Sequence, residues 1–213
     1  MKVIPAINEA KFEKIKERLF AARDFGEMNL HIDVTDGKFT AYQTWNDVRD
    51  LLELRFIANN FGFKIGIHLM VQNPDDLIDS WFKAGMHAAV IPFETIKNLE
   101  IIMEKCRKNE VMFILSVNPS TQIDSLGDIK RFEHIQLLAV EPGAAGQNFQ
   151  DVVIDKIKKL REKGFSGKII IDGGINPDTA RRVKFAGADV VISASYIWNN
   201  ADPKKGYEAL KAI

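Results

Sequence analysis

Eight short apolar runs recur along this 213-residue chain, and between them lie longer charged stretches. No other feature limits the available folds so strongly. The runs fall at residues 2–7, 30–34, 64–70, 88–91, 112–117, 135–140, 168–171 and 189–192. They lack the strict alternation of a half-exposed sheet, which suits parallel strands covered on both faces. The stretches between them carry helical spacing, as in Phe12, Ile15, Leu19 and Phe20, or Val153, Ile154, Ile157 and Leu160. With eight such units and no Gly/Ser-rich linker, the expectation is one closed (β/α)8 barrel over residues 1–213. An open doubly wound sheet shares the alternation, so the count of eight is what favours closure.

The punctuation agrees with these boundaries. Asn73-Pro74 and Asn176-Pro177 each place a capping side chain before a proline at the first helical position. Gly85 and Gly187 stand where a helix must stop in the left-handed conformation. The segments KAGMHAAVI and FAGADVVIS repeat one helix-end-to-strand pattern in the two halves of the chain.

Composition excludes several classes of function. Lys+Arg and Asp+Glu both total 29, so there is no basic field for nucleic acid. The one cysteine, Cys106, allows no internal disulfide framework and fits a reducing compartment. No apolar run reaches the roughly 18 residues of a membrane span. Glu9 and Lys11 arrive too early for a signal-peptide core. A cytoplasmic protein bound neither to membrane nor to nucleic acid is expected.

In a barrel, chemistry sits at the C-terminal ends of the strands. The second run ends in His31-Ile32-Asp33-Val34-Thr35-Asp36-Gly37, and alternation puts His31, Asp33 and Thr35 on one face. The third run carries His68 and the seventh ends in Asp172. Two histidines and two aspartates at one mouth supply nitrogen and carboxylate donors suited to zinc, iron, manganese or cobalt. Asp36, on the other face beside Gly37, reads as a turn former. His87 and His134 precede strands four and six, at the end of a barrel that carries no chemistry.

Three small-residue segments are candidates for holding a phosphate. Pro142-Gly143-Ala144-Ala145-Gly146-Gln147 follows strand six, Asp172-Gly173-Gly174-Ile175-Asn176 follows strand seven, and Ser193-Ala194-Ser195 follows strand eight. Small residues let backbone N–H groups approach an anion, and a helix start adds favourable partial charge.

These stretches, in order and over essentially the full length, resemble ribulose-phosphate 3-epimerases. The resemblance rests on His31-Ile32-Asp33-Val34-Thr35-Asp36-Gly37, His68-Leu69-Met70-Val71, Val140-Glu141-Pro142-Gly143 with Gly146-Gln147, Asp172-Gly173-Gly174-Ile175-Asn176, and Ala194-Ser195. It implies a TIM barrel in which His31, Asp33, His68 and Asp172 hold one divalent metal ion. Asp33 and Asp172 double as the acid–base pair of an isomerase that passes through an enediolate. His68, Met70, Gly143, Ala144, Ala145, Gly146, Gly173, Gly174, Ala194 and Ser195 then contact a small-molecule sugar phosphate, and a homo-oligomer is expected. Two acids are wanted because epimerisation removes a proton from one face of the carbon and returns one to the other.

Departures bear on the substrate. The family's Pro-Ser-Ile is Pro5-Ala6-Ile7 here, and its Asp-Val-Met-Asp-Gly carries Thr35. The loop Pro-Gly-Phe-Gly-Gly is Pro142-Gly143-Ala144-Ala145-Gly146, Ala-Gly-Ser is Ser193-Ala194-Ser195, and Lys38 follows Gly37. Ala145 and Ala194 add methyl groups near a phosphate, and Lys38 adds a charge to meet one. Beside ribulose 5-phosphate and xylulose 5-phosphate, the alternatives are another ketose phosphate such as allulose 6-phosphate, or a sugar-phosphate binder without turnover. A synthase or decarboxylase of the hexulose-phosphate synthase kind is disfavoured. Its Asp-x-Lys-x-x-Asp is absent from strand three, which reads Gly66-Ile67-His68-Leu69-Met70.

Overall fold

The computed structural model describes residues 1–26 and 28–213. Eight parallel strands close into a barrel in the order β1-β2-β3-β4-β5-β6-β7-β8. They are β1 (Lys2–Ile7), β2 (Met28–Thr35), β3 (Phe63–Met70), β4 (Ala88–Pro92), β5 (Met112–Val117), β6 (His134–Leu138), β7 (Lys168–Asp172) and β8 (Val190–Ser193). Helices α1 (Phe12–Ala22), α2 (Leu51–Asn60), α3 (Pro74–Ala84) and α4 (Leu99–Lys108) follow the first four strands. After β6, β7 and β8 come α5 (Val152–Glu162), α6 (Pro177–Ala186), and the pair α7 (Ser195–Trp198) and α8 (Pro203–Lys211). The crossover from β5 to β6 departs from the repeat: two short 3-10 turns, Ile123–Leu126 and Ile129–Arg131, take the place of a helix. Among the described residues, no helix is long and apolar enough to cross a membrane.

The parallel register explains why the strands read as unbroken apolar runs. Outward residues such as Ile32, Val34, Ile67 and Leu69 are fully buried under the helices. Each such burial stabilises the fold by on the order of 2 kcal/mol. The inward face is a separate, smaller core of Ala6, Val90, Ile114, Ile170, Val190 and Ile192. On α1, Ile15 and Leu19 are buried as the spacing predicts, whereas Phe20 turns outward and is 52% exposed. On α5, Val153, Ile157 and Leu160 are buried.

Gly85 and Gly187 end their helices with φ of 88° and 112°, in the left-handed region. Asn176 caps α6, accepting from the N–H groups of Asp178 and Thr179, with Thr179 completing the reciprocal box. Asn73 does not do the same: it occupies the N-cap position of α3, but its side chain accepts no capping bond. β6 also ends earlier than the apolar run implies. Ala139 and Val140 leave the sheet, although the Ala139 N–H still reaches the Asp172 carbonyl at 2.7 Å.

Candidate metal centre and active site

Register places the polar side chains together. β2 and β3 pair so that Asp33 lies beside His68, with His31 two residues lower on the same inward face. Asp172, the last residue of β7, pairs with Leu138 on β6 and Ile192 on β8 and turns inward from the far side of the ring. His31 and His68 are buried, Asp33 nearly so, and the Asp172 side chain keeps 13% of its exposure.

The donor atoms converge. His31 Nε2 is 3.1 Å from Asp33 Oδ1 and 3.2 Å from His68 Nδ1, and the last two atoms are 3.2 Å apart. Asp172 Oδ2 stands 3.7 Å from His31 Nε2 and 3.8 Å from His68 Nδ1. All four donors lie within 4.8 Å of one another. Donors on a tetrahedron about 2.1 Å from a central ion are roughly 3.4 Å apart, so these spacings fit one transition-metal ion. The far nitrogen of His68, Nε2, is buried with no hydrogen-bond partner. That leaves Nδ1 as the atom that faces other donors.

Crowding separates the two acids electrostatically. Burial disfavours ionisation of Asp33, but hydrogen bonds from His31 and His68 outweigh it and hold the carboxyl well below the usual range. Asp172 lacks such bonds: burial, reinforced by the Asp33 charge and only partly offset by His31, pushes it up to about 7. Burial opposes protonation of His31, yet Asp33 and Asp172 together raise its pKa. His68 is lowered by burial and by its histidine neighbour, against the pull of Asp33. Paired carboxyls whose environments drive them apart are the arrangement acid–base chemistry requires.

Two amides hold this cluster, and the sequence reading missed both. Asn8, just past β1, donates to Asp33 Oδ2 at 2.9 Å and to the Gly143 carbonyl at 2.8 Å. Gln136, inward on β6, donates to Asp172 Oδ2 at 3.0 Å. A signal for Gln136 did exist: it is the one polar residue in Ile135-Gln136-Leu137-Leu138, and alternation aims it into the barrel.

The predicted phosphate loops meet at the same mouth. Met70, Gly143, Ala144, Ala145, Gly146, Gly173, Gly174, Ala194 and Ser195 border one cavity with Asp33, His68 and Asp172. His31 does not border it; it lies deeper, beneath the other three donors, on the lining of a lower cavity. Gly174, at φ 64°, is required by close approach, since a Cβ there would sit 2.8 Å from the Phe149 backbone. Ala6, Ala145 and Ala194 line the cavity, so these substitutions do face the site. Lys38 does not: it is exposed and stands off the lining. Thr35 is tied to Thr44, each side-chain oxygen accepting from the other's backbone N–H at 2.7–2.9 Å. Asp36 shapes the turn, as expected, accepting from the N–H groups of Lys38, Phe39 and Gln72.

Comparison with known proteins follows the same lines. A model described as the ribulose-phosphate 3 epimerase family matches residues 2–198. The ribulose-phosphate 3-epimerase of Methanocaldococcus jannaschii is 31% identical, with 99% of this chain and 90% of that protein aligned. The ribulose-phosphate 3-epimerase of Bacillus subtilis is 28% identical over 99% of this chain and 98% of its own length. Among solved structures, a 3-hexulose-6-phosphate synthase from Salmonella typhimurium superimposes with a TM-score of 0.73 at 14% identity, covering 100% of this chain and 97% of the synthase. At that identity the likeness is one of fold.

Proposed function

This chain belongs to the ribulose-phosphate 3-epimerase family, a family of isomerases, and we propose that it interconverts D-ribulose 5-phosphate and D-xylulose 5-phosphate. The observation that carries this reading is the convergence of two carboxyls from opposite sides of the ring at the floor of a cavity rimmed by three small-residue loops.

The chemistry is proton exchange at the carbon beside a ketone. Asp33 and Asp172 face the substrate from β2 and β7, three strands apart around the closed barrel, so each serves one face of that carbon. Each acid turns one oxygen toward the histidine nitrogens: Oδ1 of Asp33 and Oδ2 of Asp172. The other oxygens are left for the proton. Asp33 Oδ2 accepts from Asn8 and is held as a carboxylate, ready to take the proton. Asp172 is the partner that carries one to the opposite face, on the oxygen turned away from the histidines. For the reverse direction the roles exchange, through the same enediolate. His31, Asp33, His68 and Asp172 would hold a divalent zinc, iron, manganese or cobalt ion. When bound, such an ion supplies Lewis-acid stabilisation of the negative charge that builds beside the carbonyl.

The three loops after β6, β7 and β8 would receive the phosphate through backbone N–H groups, with Gly143 fixed to Asp33 by the bridging Asn8. The mouth cavity is small, about 50 Å³, and its rim comes from the loops after β6, β7 and β8. The rim packs closely: a Cβ on Gly143 would sit 3.3 Å from Thr40 and Tyr42 of the loop after β2.

The test is epimerisation in deuterium oxide with metal content measured on every sample. Wild-type protein should place deuterium at C3 and accumulate xylulose 5-phosphate. Asp172→Asn, metal-loaded, should lose roughly 10²–10⁴ of the epimerisation rate. A metal-loaded Asp172→Asn protein turning over at the wild-type rate would end the two-carboxyl mechanism. A wild type that binds ketose phosphates but neither exchanges nor epimerises them is a binder instead.

A further inference from the structure

The opposite end of the barrel contains a second cavity, and it is the larger of the two. It occupies about 460 Å³, within the range of ordinary ligand pockets. It exists because inward positions that need bulk to fill the barrel carry none: Gly66 on β3 and Ala88 on β4 stand side by side in register. Above them the wall is aliphatic, formed by Ile4, Val90, Ile114, Ile170 and Ile192. The opening lies among exposed residues at the N-terminal ends of the strands.

That opening is cationic. Lys2, Lys64 and Lys168 border it, against Glu110 as the one acid of the lining. Lys168 pairs with Asp189 at 3.3 Å. Among the described residues, Lys2 and Lys64 have no ion-pair partner. His87 accepts from the Ile65 N–H through Nδ1, which leaves Nε2 to carry its hydrogen. Two polar atoms on the lining residues have no partner: His134 Nδ1, level with Lys168 in register, and Gln136 Oε1, two residues further up β6. Buried polar groups are ordinarily satisfied, so these two atoms are left to water that enters the cavity beside its occupant.

We propose that this lower cavity is a second binding site, for a small carboxylic acid whose apolar body enters the barrel and whose carboxylate rests among Lys2, Lys64 and Lys168. The aliphatic wall gives the body somewhere to leave water, and the lysines select an anion over a neutral molecule of the same shape. The site is separate from the mouth, and it stands whatever substrate the mouth accepts. Its roof includes Gln136 and His31, which border the donor cluster from below.

Hexanoate is a direct probe, titrated into the full chain at constant ionic strength and followed by calorimetry, with hexan-1-ol and inorganic phosphate as comparisons. Hexanoate should bind once per chain and at least about tenfold more tightly than either comparison compound. The double variant Lys2→Gln, Lys64→Gln changes two exposed side chains and should weaken hexanoate roughly tenfold. Ala88→Leu fills the cavity and should abolish binding; if it fails to fold, the lysine variant decides. Absence of saturable hexanoate binding overturns the proposal. So does equal affinity for hexan-1-ol, or hexanoate affinity left unchanged by the lysine substitutions.

Discussion

Metal affinity should rise steeply with pH between 6 and 8, and the size of the rise follows from the donor cluster. An ion needs every ligand deprotonated, so each proton still held must leave when the ion binds. Asp33, held well below the usual range, contributes none in this window, and His68, lowered by burial, releases less than a free imidazole would. Asp172 does contribute, because burial and the Asp33 charge push it up to about 7. Lowering the pH from 8 to 6 takes that one carboxyl from mostly ionised to mostly protonated, which weakens the ion by about tenfold, or roughly 1.4 kcal/mol. His31, raised by Asp33 and Asp172 against burial, adds a further loss in the same direction. Competition against a chromophoric metal indicator at pH 6, 7 and 8 measures the slope, and calorimetry in two buffers of different ionisation enthalpy counts the protons released. Asp172→Asn should bind more weakly at pH 8 but with a shallower slope. A flat profile, or affinity that falls as pH rises, would refute the argument that Asp172 is held protonated by its surroundings.

Two further outcomes test the supports around the cluster. Gln136→Leu removes the 3.0 Å bond to Asp172 and also removes a buried oxygen that has no partner, so stability should change by less than about 1 kcal/mol. Metal affinity or turnover should nevertheless fall about 10–100-fold, as for other residues that orient a ligand; unchanged values for both would show that Asp172 needs no such support. Gly174→Ala should destabilise the protein by about 1–3 kcal/mol, because it combines φ of 64° with a Cβ 2.8 Å from the Phe149 backbone. Thermal denaturation at the wild-type midpoint would contradict the close approach.

Most of the fold was legible because a parallel barrel writes itself into sequence redundantly. Each strand is covered on both faces, so it appears as an apolar run wherever its exact ends lie. Gly85 and Gly187 mark helix ends through a backbone conformation that other residues adopt at a cost. What escaped was local. The turns after β5 bury Ile123, Leu126 and Ile129 without helical periodicity, because a 3-10 turn too short to show a period carries no amphipathic signature. Asn73 matches the capping pattern in sequence, but its side chain does not make the bond, since a cap requires a rotamer as well as a residue type.

His31, Asp33, His68 and Asp172 were legible as a candidate metal set for a different reason: they interrupt apolar runs at strand ends, where a polar residue has few structural uses. Asn8 and Gln136 escaped because their meaning depends on a partner far along the chain. Asn8 acts on a carboxyl 25 residues away and on a carbonyl 135 residues away. Gln136 acts on Asp172 across β6 and β7. Strand pairing brings Asn8 to Asp33 and Gln136 to Asp172, and closure of the ring brings Asn8 to Gly143. Their chemistry is the same for a physical reason. A lysine or arginine in either place would neutralise a carboxyl that a bound ion would need, and an apolar residue would leave its oxygens undirected. A neutral amide nitrogen donates hydrogen bonds and adds no charge. The two amides also attach differently. Asn8 holds the Asp33 oxygen that points away from the histidines, whereas Gln136 holds the Asp172 oxygen nearest to them. On the mechanism proposed above, Asp33 is therefore restrained at its proton-exchanging oxygen and Asp172 at its ligating one.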